Sequence, residues 1–193
     1  MEIRDARALS DFARAVESVG LRYVVGGSIA AGYFGEPRAT LDIDVLIEVH
    51  VNDLDRLTAA FAEHFLMTRD ALCDAFEKHI AFNAYHRASF TKFDVYVAVD
   101  DSLDRAQLER RQPKLLLEGS DEVVYVTSAE VIVLRKLAWF RRSNLTSELQ
   151  WRDVLGVIKQ QGSRLDRNLM VELAAATGLT YLLRRAFEES EPA

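Results

Sequence analysis

The stretch VVGGSIAAGYFGEPRATLDIDVLIE, Val24 to Glu48, decides the fold. An apolar run, Tyr23 to Val25, enters the turn Gly26-Gly27-Ser28, and small or apolar residues from Ile29 to Phe34 then predict a short helix. Glycines at such a strand-to-helix turn let backbone N–H groups and the positive helix end face an anion. Asp42 and Asp44 open the next apolar run. Two residues apart on a strand, both carboxylates leave the same face. Hard oxygen ligands in that arrangement suit Mg²⁺ carrying the phosphates of a nucleotide.

Working outward, apolar residues at Leu9, Phe12, Ala13 and Val16 recur on one helical face, and Gly20 ends that helix. Asn52 or Asp53 caps a predicted helix reaching Phe65, and a short helix is expected over Asp70 to Glu77. Ile80 to Ala88 and Thr91 to Val99 read as strands, the second with Phe93, Val95, Val97 and Val99 alternating against Asp94, Tyr96 and Ala98. Asp101 to Gln112 reads as a charged helix closed by Pro113. Leu115 to Glu118 and Val123 to Val126 predict a hairpin around Gly119-Ser120-Asp121.

From Thr127 the pattern is helical alone. Thr127 with Glu130, and Ser147 with Gln150, have the spacing of capping boxes opening helices to about Arg142 and Gln161. Segments near Arg167 to Thr177 and Leu179 to Glu189 complete the chain, with Glu188 to Ala193 expected to fray. The expected class is therefore α+β: a mixed-sheet α/β domain over residues 1–126 and a helical domain over residues 127–193.

The 193 residues are 49% hydrophobic and 28% charged, an ordinary globular balance. A net charge of −6 argues against a protein that coats nucleic acid by bulk charge. Through Leu134 there are 14 Lys and Arg against 23 Asp and Glu, or −9; beyond it 10 stand against 7, or +3. The C-terminal part is thus the side expected to meet an anionic partner. Cys73 is the only cysteine, which excludes an internal disulfide and a thiolate-rich zinc site. His50, His64, His79 and His86 show no metal-ligand spacing. The charged N-terminus lacks a signal-peptide core and no apolar run spans a bilayer, so no membrane association and a cytoplasmic location are expected.

A two-ion phosphoryl-transfer centre needs a third carboxylate, and Asp94, among apolar neighbours on a strand, is the candidate. Lys136 and Arg141 are positioned to flank one groove as phosphate ligands. Arg135, Arg142 and Lys159 read as a solvated basic face. Arg38 and Thr40 precede the Asp pair closely enough to reach a triphosphate, although Arg38 has Glu36 or Asp44 as alternative partners. Asp153 divides between a site role and pairing with Arg141 or Arg152. Trp139, Phe140 and Trp151 have core spacing, base stacking being the lesser reading.

These motifs resemble the nucleotidyltransferase superfamily, which includes DNA polymerase β-like and minimal nucleotidyltransferases. Gly27 and Ser28, a spacer of 13 residues and Asp42-x-Asp44 match its first motif, and Asp94 matches its later acidic strand residue. Lys136-x4-Arg141 and the following Asp153 are similar to motifs of AbiE-type toxins, and S-E-L-Q-W-R-D-V resembles a related bacterial branch. The resemblance implies a Mg²⁺-dependent enzyme with catalytic, metal-binding Asp42, Asp44 and Asp94. Gly27, Ser28, Arg38, Thr40, Lys136, Arg141 and Asp153 would bind the nucleoside triphosphate. It implies transfer of a nucleotide to RNA, such as a tRNA 3′ end, or to a protein hydroxyl, with a cognate antitoxin as a possible partner. A small-molecule acceptor of the antibiotic type, and a non-catalytic nucleotide-binding regulator, are the alternatives.

Overall fold

The computed structural model describes residues 3–116 and 121–190. In chain order the elements are α1 (Ile3–Ser18), β1 (Arg22–Val25), α2 (Gly27–Phe34), β2 (Asp42–Glu48), α3 (Leu54–Phe61), β3 (Phe65–Leu66) and α4 (Arg69–Lys78). There follow β4 (Ala81–His86), β5 (Lys92–Val97), α5 (Ser102–Glu109), β6 (Gln112–Leu115) and β7 (Val123–Val126). The helices α6 (Ala129–Arg142), α7 (Glu148–Gln161), α8 (Arg167–Thr177) and α9 (Thr180–Ser190) complete it. The class is α+β, with a mixed sheet followed by helices.

The strands form one sheet in the order β3-β4-β5-β2-β1-β7-β6. β2 lies antiparallel to β1 and parallel to β5, so the Asp42-Asp44 strand and the Asp94 strand are central neighbours. Alternation divides β2 cleanly: Ile43, Val45 and Ile47 are buried in the main core, while Asp42, Asp44 and Leu46 take the other face. Phe12 of α1 stacks on Phe93 of β5 at 4.8 Å and meets Phe61 and Phe65 at 5.1 and 5.8 Å. Each such buried side chain contributes roughly 1.5–3 kcal/mol. One apolar cluster contains buried residues from Ala6 to Ala186, and through it α6 and α7 pack on α2, which packs on β2.

Several local expectations are corrected. The helix expected to reach Phe65 ends at Phe61, and Phe65 starts the short strand β3. Pro113 does not close a helix but sits in β6, where the end of the sheet order makes its missing N–H harmless. The expected Gly119-Ser120 turn lies outside the described residues. Ser128, not Thr127, caps α6, its Oγ accepting from Val131 N at 3.4 Å. Ser147 caps α7 without a side-chain bond, so the second box is not formed. Helix α9 continues through Ser190, and 191–193 lie outside the described residues. Among the described residues, no helix is long and apolar enough to cross a membrane.

Candidate active site

Parallel pairing of β2 with β5 places Asp42 beside Lys92, Asp44 beside Asp94 and Leu46 beside Tyr96. All six side chains share one sheet face by strand alternation. Like charges directly opposed on adjacent strands destabilise the fold. Burial, then Asp42 and Asp94, push the Asp44 carboxyl up to about 6, against the opposing pull of Lys136 and the Ser28 backbone N–H. Lys92 Nζ lies 2.7 Å from Asp94 Oδ1. Thr40 Oγ1 donates to Asp42 Oδ1 at 3.1 Å.

The glycine turn is built around Asp44. Gly26 N donates to Asp44 O at 2.9 Å, and the Ser28 backbone N–H favours the charged form of the Asp44 carboxylate. Gly27 has φ +53, and a Cβ there would lie 1.8 Å from Asp44 Oδ2. Only glycine permits both that backbone and that approach. The turn therefore orients a carboxylate as well as opening a helix N-terminus toward the cleft.

Two cations, Lys136 buried and Arg38 partly buried, flank this turn. Arg38, in the loop between α2 and β2, grips Asp153 of α7 through Nε and Nη2, both at 3.2 Å, and donates from Nη2 to Ser28 Oγ. Lys136 Nζ of α6 lies 2.9 Å from Asp153 Oδ2. Burial raises the Asp153 carboxyl, but the hydrogen bonds from Arg38 and Lys136 outweigh it and hold it below its usual range. Asp153 thus pairs with neither Arg141 nor Arg152, and Arg38 pairs with neither Glu36 nor Asp44.

Turn, Asp pair and cations surround a cleft of about 700 Å³ lined by Gly27, Ser28, Arg38, Thr40, Asp42, Asp44 and Lys136. Asp94 stands beside Asp44, and Asp153 lies behind the two cations. Arg141 is a correction. It does not line the cleft; its Nη1 donates to the carbonyls of Thr177 and Gly178 at the end of α8, at 3.0 and 3.2 Å. Five residues rotate a helix by about 140° relative to Lys136, which accounts for the divergence.

Other residues of the cleft differ from what their sequence pattern suggests. Arg135, expected on a solvated face, lines the cleft and pairs with Asp104, and burial lowers its guanidinium to about 10. Arg142 also lines it, 5.2 Å from the Trp139 ring. Trp139 itself is 41% exposed to the cleft rather than core, 6.1 Å from Tyr96. Phe140 is buried and packs with Trp151 at 4.9 Å, as their spacing predicted.

The donor set suits a divalent cation: Asp42 and Asp44 line the cleft from one sheet face, and the ion pairs engage Lys92, Arg38 and Lys136 with Asp94 or Asp153, not with Asp42 or Asp44. Asp94 shares that face but does not line the cleft, and its carboxylate is held by Lys92. Among the described residues no three His, Cys, Asp or Glu side chains are already arranged around a metal position. Asp42 and Asp44 with phosphate oxygens would make a mixed ligand set, the usual mode for Mg²⁺.

No protein-family model and no curated protein sequence matches the chain. Solved structures do match in shape. The antibiotic-resistance factor ANT(2″)-Ia in solution aligns with TM-score 0.58 and 14% identity, covering 98% of this chain and 100% of its own. Its crystal structure with adenylyl-2″-tobramycin gives 0.52 and 14%, covering 89% and 97%. An antigenic nucleotidyltransferase-like protein from Paracoccidioides brasiliensis gives 0.55 and 18%, covering 95% and 91%. The chain shares the nucleotidyltransferase fold.

Proposed function

We propose that this protein is a Mg²⁺-dependent nucleotidyltransferase that moves a nucleoside monophosphate from a nucleoside triphosphate to an acceptor hydroxyl. The observation that carries this reading is the pair Asp42 and Asp44 beside the Gly27-Ser28 turn, lining a cleft with Lys136 and Arg38 on its flank, with Asp94 next to Asp44 on the neighbouring strand. Residues 1–126 contribute the carboxylates and the turn, and residues 127–193 contribute Lys136 and Asp153.

Asp42 and Asp44 would hold Mg²⁺, with Asp94 supplying the ligand for a second ion. The metal's chemistry is charge neutralisation on the phosphates and activation of the attacking oxygen. Lys136, Arg38 and the Ser28 hydroxyl bind the terminal phosphates and orient the chain for in-line displacement. Asp94, on releasing Lys92, takes the proton of the acceptor hydroxyl. The hydroxyl oxygen then bonds to the α-phosphorus, the bond from that phosphorus to the bridging oxygen breaks, and pyrophosphate carries away the electron pair.

A small-molecule acceptor leads. The full-length likeness to ANT(2″)-Ia, seen with adenylyl-2″-tobramycin, supports it. Support for an AbiE-type toxin acting on tRNA, other RNA or protein, with its antitoxin, is weaker because Arg141 caps a helix while Arg184 and Arg185 pair with Glu188 and Glu189. That second reading retains the Lys136-Asp153 motif match.

The test incubates the purified chain with Mg²⁺ and labelled triphosphates, offering tobramycin and related polyhydroxylated amines in one arm and total cellular RNA or protein in another. Label on the small molecule supports the leading reading. Label in RNA or protein transfers it to the second. Absence of both label and pyrophosphate release across all arms ends the proposal.

A further inference from the structure

Helix α6 buries Val131, Ile132, Leu134, Leu137 and Phe140, yet leaves the largest side chain on it, Trp139, 41% exposed. Lys136 lies one turn before it, so the phosphate-side cation and the indole project toward the same region of the cleft. Tyr96, whose ring is 6.1 Å from the indole, is two residues beyond Asp94 on the same sheet face. An open aromatic surface therefore stands one pleat from the carboxylates, with the Arg142 guanidinium 5.2 Å from it. Aromatic surfaces with an adjacent Arg are the common platform for stacked bases.

A second, independent feature lines the same cleft. Gln150, in the first turn of α7, has a buried Oε1 that no donor reaches among the described residues. The capping bond that would have engaged α7's first turn is absent. A buried amide oxygen without a donor loses free energy that a ligand N–H would restore. The amide offers an acceptor beside a donor. Its complement is an amino group beside an unprotonated ring nitrogen, the Watson–Crick edge shared by adenine and cytosine; on that edge guanine and uracil set a carbonyl beside a ring N–H.

We infer that Trp139 and Gln150 form a nucleobase subsite, Trp139 stacking the base and Gln150 selecting adenine and cytosine by the amino group and unprotonated ring nitrogen of their Watson–Crick edges. The inference rests on the triphosphate reading above and adds the class of base to it.

Calorimetry on the full chain with Mg²⁺ compares ATP, CTP, GTP, UTP and inorganic tripolyphosphate. ATP and CTP are expected to bind about tenfold tighter than GTP and UTP. Gln150→Ala should level the four. Trp139→Leu should weaken all four about tenfold or more while leaving tripolyphosphate affinity unchanged. Circular dichroism of each variant checks the fold, and Trp139→Phe, which keeps a ring, should retain most nucleotide affinity. Four nucleotides binding no tighter than tripolyphosphate, or a Trp139→Leu loss equal for tripolyphosphate, overturns the subsite. Tripolyphosphate that still binds only with Mg²⁺, and not to Asp42→Asn, then leaves the triphosphate reading standing. No Mg²⁺-dependent binding of any of the five ends both.

Discussion

Lys136 Nζ and Asp153 Oδ2 stand 2.9 Å apart between α6 and α7, and each side chain is only 5% exposed. Asp153 also holds Arg38, so one buried carboxylate positions two cations beside the phosphate turn. Breaking such a pair leaves an uncompensated buried charge, whereas replacing it with apolar residues of similar volume is often neutral. Asp153→Ala should therefore lose about 3–5 kcal/mol in urea denaturation. Lys136→Met with Asp153→Leu should recover part of that, Arg38 still lacking its carboxylate, while binding Mg²⁺-triphosphate poorly. A single variant as stable as the parent would refute the buried-pair account.

Lys136 and Arg141 separate the two functions that their spacing merges. Lys136→Ala should lower triphosphate affinity by about 1.5–3 kcal/mol, the range for a hydrogen bond to a charged group. Arg141→Ala should leave affinity unchanged and lower stability, because it removes the donor from the Thr177 and Gly178 carbonyls. Calorimetry alongside thermal melts distinguishes them; equal losses of affinity would return Arg141 to the cleft.

What was legible follows from the range of the forces involved. Strand alternation and turn chemistry act over a few residues, so the Gly26-Gly27-Ser28 turn, the Asp42-Asp44 face and the β5 alternation around Asp94 could be read directly. Helical period shows that Trp139 and Arg135 lie on faces, but a face turned to a cleft has the same period as one turned to a core or to water. The partners of Asp153 could not be read, since Arg38 is 115 residues away in sequence. Gln150 satisfied a local capping rule that tertiary structure did not use.

Gly27→Ala tests the fit of the turn to Asp44. The new Cβ meets the carboxylate at 1.8 Å in a backbone with φ +53, so either the turn or Asp44 must move. Stability should fall by more than about 1 kcal/mol, and the Mg²⁺ dependence of nucleotide binding should weaken with it. Gly20→Ala, with the same sign of φ but nothing near its Cβ, controls for backbone strain alone. Matching effects on nucleotide binding in both variants would remove the special role of Gly27.

Asp44→Asn should stabilise the metal-free chain near neutral pH. The carboxyl rises from 3.8 unfolded to about 6 folded, mainly through burial and then through Asp42 and Asp94. Between those values the folded chain binds the extra proton, so its stability falls as pH rises through the window and the penalty is complete above it. Asn keeps the shape and an oxygen for the Ser28 N–H but carries no charge. With chelator present, the variant should exceed the parent by roughly 2–3 kcal/mol at about pH 7.5, and the advantage should shrink toward zero near pH 4. Added Mg²⁺ with triphosphate should raise the parent's melting temperature at about pH 7.5 and leave the variant's nearly unchanged. A variant less stable than the parent at neutral pH would show that Asp44 contributes more to the fold through its charge than burial beside Asp42 and Asp94 takes away.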